Sequence, residues 1–161
     1  MNNIFDPVFI FGAKYSHVAV ILITFAWLMV QPRLRQKEVL AVFCACLPLV
    51  LLVSLLASHI YYSPRPFVLG GFKPLIPHEA NNGFPSHHVL LVSAVSAVVF
   101  IFSRRLGLLL WALTLFVGFS RVYAGVHHII DAIGSVLISI IMTVLGFYFV
   151  KYLRNHKSEG S

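Results

Sequence analysis

Most of this chain is a series of uncharged apolar runs whose lengths approach or exceed what a bilayer crossing needs. Val39 to Ile60 contains no Asp, Glu, Lys or Arg, nor do Val89 to Ser103 and Leu106 to Ser120. A spanning helix takes roughly 18–20 such residues. A soluble bundle built from these runs would leave most helix surfaces apolar, with too little chain to cover them. The composition agrees, since 59% hydrophobic and 11% charged residues fall outside the ordinary soluble range. The expectation is one domain over residues 1–161, an all-α integral membrane helical bundle with about five transmembrane helices.

The punctuation of these runs sets the expected helices. The first covers Val18 to Val30 with part of the preceding segment, where Lys14 and His17 interrupt the apolar pattern. Asn2 to Lys14 reads as a short interfacial segment or as the first turns of that helix, because Lys14 can snorkel. Val39 to about Ile60 forms the second, with Pro48 as a kink. Tyr61 to Pro85 holds Pro64, Pro66, Pro74, Pro77, Pro85 and the Gly70-Gly71 pair, a composition that opposes regular structure and favours a fixed loop. Ser86, a good N-cap residue, opens a third helix reaching about Ser103. Leu106 to about Tyr123 and His127 to Val150 complete the set, and Tyr152 to Ser161 reads as a polar tail without fold.

The charges report orientation. Of the net charge of +7, much lies in Arg33, Arg35 and Lys37, in Arg104 and Arg105, and in Lys151, Arg154 and Lys157. If the runs between them all span, these groups share one side, which is the positive-inside pattern. No nucleic-acid surface is needed to explain the basic excess. Met1 to Pro7 has no basic n-region and carries Asp6, which argues against a cleaved signal peptide. Cys44 and Cys46 read as packing residues, with no disulfide or metal clip indicated.

The same topology gathers three polar clusters on the opposite face: the loop around Arg65, the start of the third helix at Ser86-His87-His88, and Arg121 with His127, His128 and Asp131. Asp131 is four residues from His127 and three from His128, so it can orient either imidazole. An oriented imidazole is the arrangement used wherever histidine acts as base or nucleophile. Arginine has no positive-inside reason to sit on this face, and its planar fork suits phosphate oxygens. The helix end at Ser86 offers free N–H groups and a hydroxyl to the same anion, and His87 or His88 can protonate a leaving oxygen. Zinc is the second reading of the histidines, weakened because adjacent side chains on a helix splay about 100° apart.

Taken together, Arg65-Pro66, Pro85-Ser86-His87-His88, and Ser120-Arg121 followed by His127 and Asp131 resemble the three-part signature of the type-2 phosphatidic acid phosphatase superfamily. The resemblance covers about Ser58 to Gly134. Within it, Tyr62 to Phe67, Leu75 to Ala80 and Phe84 to Ser86 are most similar to the bacitracin-resistance type of undecaprenyl-diphosphate phosphatase.

That resemblance implies an enzyme that dephosphorylates undecaprenyl diphosphate through a phosphohistidine in a bacterial cytoplasmic membrane, and the basic loops give the expectation that its site faces outward and its C-terminus inward. His127 would be the nucleophile, Asp131 its support, and His88 the acid and then the base. Arg65, Ser86 and Arg121 would hold phosphate oxygens, with His87 beside them and no metal or cofactor required. His78 and Lys73 are placed to reach a second phosphate. Two positions depart from the superfamily pattern: Ser58 stands where a lysine is usual, and His87 where the residue is usually small or acidic. The alternatives are a related lipid phosphatase and, in another class, a protein that binds or transports lipid phosphate without hydrolysing it.

Overall fold

The computed structural model describes residues 3–159. Its helices are α1 (Asp6–Met29), α2 (Arg33–Ile60), α3 (Pro66–Gly70), α4 (His87–Phe102), α5 (Arg104–Tyr123) and α6 (Ile129–Glu159). No regular strand occurs among the described residues; an isolated bridge pairs Pro64 with Asn82. Helices α1, α2, α5 and α6 are each long and apolar enough to cross a membrane.

Helix α4 is the shortest of the five long helices and the most enclosed. Its 16 residues rise about 24 Å, less than a full hydrocarbon core. It packs against α1, α2, α5 and α6, so its surroundings are protein more than lipid. Val89, Leu90, Val92, Ser93, Ala94, Val95, Ser96, Val98 and Val99 are all buried, a nearly continuous set of small and β-branched side chains. Serines supply the polar contacts between helices. Ser93 donates to Ser139 Oγ at 2.8 Å, Ser139 to the Leu90 carbonyl at 2.9 Å, and Ser96 and Thr114 share a hydrogen bond of 2.9 Å.

Small residues let the backbones approach. A Cβ on Gly107 would come within 2.4 Å of Phe100 Cα, where α5 meets α4. One on Gly146 of α6 would lie 2.6 Å from Cys46 Sγ and 3.2 Å from its Cα, so buried Cys46 is a packing residue. The basic groups gather at the end of the bundle where α2 begins and α6 ends. There Arg154 meets Glu38 at 2.7 Å, and Arg35 donates to the Phe102 carbonyl.

Two expectations change, and one alternative left open is decided. The Pro-rich connection is not wholly irregular, because Pro66 supplies a preset first-turn φ and α3 forms over five residues before Gly71 turns left-handed at φ 60°. The segment after Val150 does not fray at Tyr152, since α6 continues to Glu159. Asp6 to Lys14 is continuous with the rest of α1. Met1, Asn2, Gly160 and Ser161 lie outside the described residues, and with them the outer ends of the expected interfacial segment and tail.

Close approach at Gly107 gives a stability test. Gly107→Ala drives a methyl into helix backbone and is expected to cost ~1–3 kcal/mol. Gly118→Ala finds only Val89 and Ala132 side chains, at 3.7 and 3.8 Å, and should be neutral or slightly stabilising. Thermal melts of the two variants in detergent check the contrast.

Candidate active site

The loop between α2 and α4 is tied to the end of α2 by Asn82. Asn82 Oδ1 accepts the backbone N–H of Ser63 at 2.9 Å and of Phe84 at 3.0 Å. Its Nδ2 donates to the carbonyls of Ser58 and Tyr61 at 2.9 and 3.0 Å. One side chain thus fastens both ends of the loop to each other and to the end of α2. Gly83 lies against the site, where a Cβ would sit 3.0 Å from Asp131 Oδ2. At the far side, Gly125 adopts φ 75°, and a Cβ there would come within 2.6 Å of the Phe72 ring.

That loop delivers Arg65, buried to 5% exposure. Asn81 Oδ1 accepts from its Nη2 at 2.7 Å and from its Nε at 3.0 Å, and the Val126 carbonyl accepts from Nη1 at 2.8 Å. Helix α5 delivers Arg121, 2% exposed, from its last turn. Its Nη1 donates to the Ala13 carbonyl of α1 at 3.2 Å, and its Nη2 to His78 Nε2 at 2.9 Å. Both guanidinium groups then reach the same atom. Arg65 Nη1 and Arg121 Nη2 each lie 3.3 Å from His127 Nε2.

The other ring nitrogen of His127 faces Asp131, with Nδ1 at 3.4 Å from Oδ2. This separates the two neighbouring histidines. The ring of His128 turns away and its Nε2 meets the Pro64 carbonyl at 3.0 Å, while its backbone N–H donates to Asp131 Oδ2 at 2.8 Å. With Nδ1 facing the carboxylate, Nε2 carries the lone pair that the arginines approach. Burial, opposed by Asp131 and aided by the two arginines, holds the His127 imidazole below its ordinary pKa. Burial, with Arg65, Arg121 and His127 nearby, pushes His78 down to about 4, so it stays neutral and accepts from Arg121. Arg65 is also lowered by burial, against the pull of Asp131 and Glu79.

Ser86 holds the N-cap position of α4, but its side chain makes no capping bond. Its hydroxyl is buried and has no partner among the described residues, which leaves it available to a ligand. The first turn of α4 is fixed against α6, because Ser135 donates to the Ser86 carbonyl at 3.1 Å. That places His88 at the site end of the bundle, within electrostatic reach of Arg121, His127 and His78. Its ring meets His17 of α1 at 4.6 Å and 89°.

The structure therefore brings together Arg65, Ser86, His88, Arg121, His127 and Asp131. His87 and Lys73 are exposed, and no polar contact joins either to this group among the described residues. Ser58, where a lysine is usual, donates to the Leu55 carbonyl of its own helix at 2.7 Å. Among the described residues no three His, Cys, Asp or Glu side chains are grouped to hold a metal ion. Sequence reasoning missed Asn81, Asn82 and His17. The asparagines look like ordinary turn formers in a Pro-rich stretch, and His17 is a lone polar residue within an apolar helix.

Comparison with known proteins gives consistent matches. The PAP2 superfamily model matches residues 40–155. The chain is 34% identical over 157 residues to undecaprenyl-diphosphatase BcrC of Bacillus subtilis (strain 168), covering 95% of this chain and 79% of that protein. Among solved structures, Aquifex aeolicus LpxE superposes with a TM-score of 0.72 at 20% identity, covering 92% of this chain and 88% of the other. A transmembrane PAP2-type phosphatidylglycerolphosphate phosphatase from Bacillus subtilis gives 0.65 at 21% identity, covering 94% and 79%. At these identities the two structures establish the shared fold.

The bracing of the loop generates its own test. Asn82→Ala leaves the Ser63 and Phe84 amides without their acceptor, at roughly 1–3 kcal/mol for each one that stays buried. The expected result is a lower melting temperature together with faster proteolysis between Tyr61 and Pro85. Wild-type protection of that segment would contradict the bracing role.

Proposed function

The chain belongs to the PAP2 superfamily, and from that premise we propose that it hydrolyses undecaprenyl diphosphate to undecaprenyl phosphate and inorganic phosphate. The observation that carries the reading is the convergence of Arg65 and Arg121 on His127 Nε2 while Asp131 faces Nδ1. An anion is what two buried guanidinium groups require, and a lone pair between them is where its phosphorus would be attacked. Likeness to undecaprenyl-diphosphatase BcrC over most of the chain supports the choice of lipid.

In the proposed reaction the terminal phosphate lies between Arg65, Arg121 and the free hydroxyl of Ser86, against the N–H groups that open α4. His127 Nε2 attacks phosphorus and the bridging P–O bond breaks. Undecaprenyl phosphate leaves, taking a proton from His88. A water molecule then attacks the phosphohistidine, His88 recovers a proton from it, the P–N bond breaks and inorganic phosphate departs. Asp131 supports the positive charge that the His127 ring gains on phosphorylation. The leaving group is itself a phosphate, with a second pKa near 6 by analogy with phosphoserine. It departs more readily than an alkoxide, so electrostatic positioning carries much of the catalysis.

The same reading makes residues 1–161 one membrane phosphatase domain in a bacterial cytoplasmic membrane. The basic end faces the cytoplasm by the positive-inside rule, and the site faces outward. A membrane-impermeant maleimide should label Lys73→Cys in intact cells, in a background lacking Cys44 and Cys46. Labelling only after permeabilisation would reverse the orientation.

Phosphate release from isoprenyl diphosphates, phosphatidate and phosphatidylglycerol phosphate, each with EDTA present, tests the chemistry and the choice of lipid. The expected outcome is preference for the isoprenyl diphosphate and a fall of roughly three orders of magnitude or more in His127→Ala. Wild-type turnover by that variant would remove His127 as nucleophile. The lowered His127 pKa sets the sign of the pH dependence, since only the unprotonated ring attacks. Activity should persist as pH drops through 6.5 and fall on its acid side below that value.

A further inference from the structure

Helix α1 reaches the site although it lies outside the residues matched by the superfamily model, which begin at 40. Three contacts fix it there. The Ala13 carbonyl accepts from Arg121 at 3.2 Å, Asp6 accepts from the Tyr123 hydroxyl at 3.0 Å, and Gly12 lies so close to α5 that a Cβ would meet Ser120 Oγ at 2.2 Å. One turn beyond Ala13, His17 sets its ring perpendicular to that of His88, at 89° and 4.6 Å between centroids. This is edge-to-face geometry at normal contact distance.

The imidazole at this position needs an explanation. His17 Nδ1 is buried and has no hydrogen-bond partner among the described residues. A polar ring costs free energy at such depth, and an aliphatic side chain would fill the space without that cost. The ring contact with His88 is the interaction the structure gives it. A ring packed perpendicular to a neighbouring histidine in this way fixes the plane of the neighbour.

We propose that His17 is a positioning residue for His88, holding its ring in the plane from which it exchanges a proton with the leaving phosphate. This rests on the assignment of His88 as the acid and base of the proposed reaction. His17 acts through His88 and forms no bond with the substrate. The proton still passes from His88 to the bridging oxygen, and returns to His88 from water.

The test is a variant series at residue 17, assayed with farnesyl diphosphate in detergent. His17→Ala removes the ring, His17→Leu restores volume without a π face, and His17→Phe restores the ring. Misplacing a general acid forfeits part of its usual 10²–10⁴-fold contribution, so kcat should fall about ten-fold in the Ala and Leu variants with KM within about two-fold of wild type. His17→Phe should stay within about three-fold of wild type. In a His88→Ala background the same three changes should alter kcat by less than about two-fold, since the partner through which they act is gone. Equal activity of the Leu and Phe variants would reduce His17 to a packing residue and overturn the proposal. So would a ten-fold loss that persists without His88. A fully active His88→Ala enzyme would overturn the proposal together with the assignment of His88, and that failure appears without any change at residue 17.

Discussion

Two arginine side chains buried beside one another are the constraint around which this molecule is arranged. Each guanidinium lies 3.3 Å from the same imidazole nitrogen, and each is almost fully removed from solvent. Like charges about 6 Å apart repel by roughly 2–3 kcal/mol even at an effective dielectric constant near 20. The protein answers with carbonyls and amides: Val126 and Asn81 for Arg65, Ala13 and neutral His78 for Arg121. Asp131 and Glu79 also attract Arg65. These partners come from α1, from the loop, and from the turn between α5 and α6. The arrangement is ready for an anion because the scaffold already bears the cost of holding its counter-charges together.

The short helix α4 makes that convergence geometrically available. Because it is surrounded by four other helices, it needs neither full bilayer length nor a broad apolar face. Its Val, Ala and Ser side chains instead permit close packing, and paired serines fix its axial position relative to α6. The Ser135 contact with the Ser86 carbonyl then sets where its N-terminus ends. A shift of one turn along α4 would move Ser86 and His88 about 5 Å from the first turn of α6. Core packing and the geometry of the candidate site are here a single constraint.

Much of this was legible in the sequence for plain reasons. Apolar run length reports bilayer crossing directly, and the i to i+4 spacing of His127 and Asp131 survives into the structure as a 3.4 Å approach. Spacing alone left His127 and His128 tied. The tie breaks through the Pro64 carbonyl, which engages the His128 ring from 64 residues away in sequence. Asn81 and Asn82 escaped for the same reason, since their partners lie far along the chain while their local signal is that of a turn. His17 could be seen as a polar interruption but not assigned, because its meaning lies in a ring on another helix. Pro66 was read as a breaker when its position after Arg65 made it a helix starter. The helical extension to Glu159 reflects the cooperativity of a helix already nucleated and packed upstream, which residue-by-residue polarity does not reveal.

The contacts at His127 Nε2 bear on how the proposed reaction begins. A lone pair that accepts from two guanidinium groups is a poor nucleophile, because attack on phosphorus must first release those donors. A phosphate oxygen is a stronger acceptor for Arg N–H than a neutral imidazole nitrogen. An incoming diphosphate head therefore competes for the same donors that mask Nε2, and each guanidinium it captures removes one hydrogen bond from the ring. In the proposed reaction binding and activation would become one event: the arginines would exchange a nitrogen acceptor for oxygen acceptors, and the lone pair would be freed beside the phosphorus it attacks. Water is a weaker competitor for those donors because it carries no charge. In the proposed reaction the resting arrangement would thus restrain His127 until an anion of the right shape displaced it from its own partners, with Asp131 keeping the ring aimed while the exchange took place.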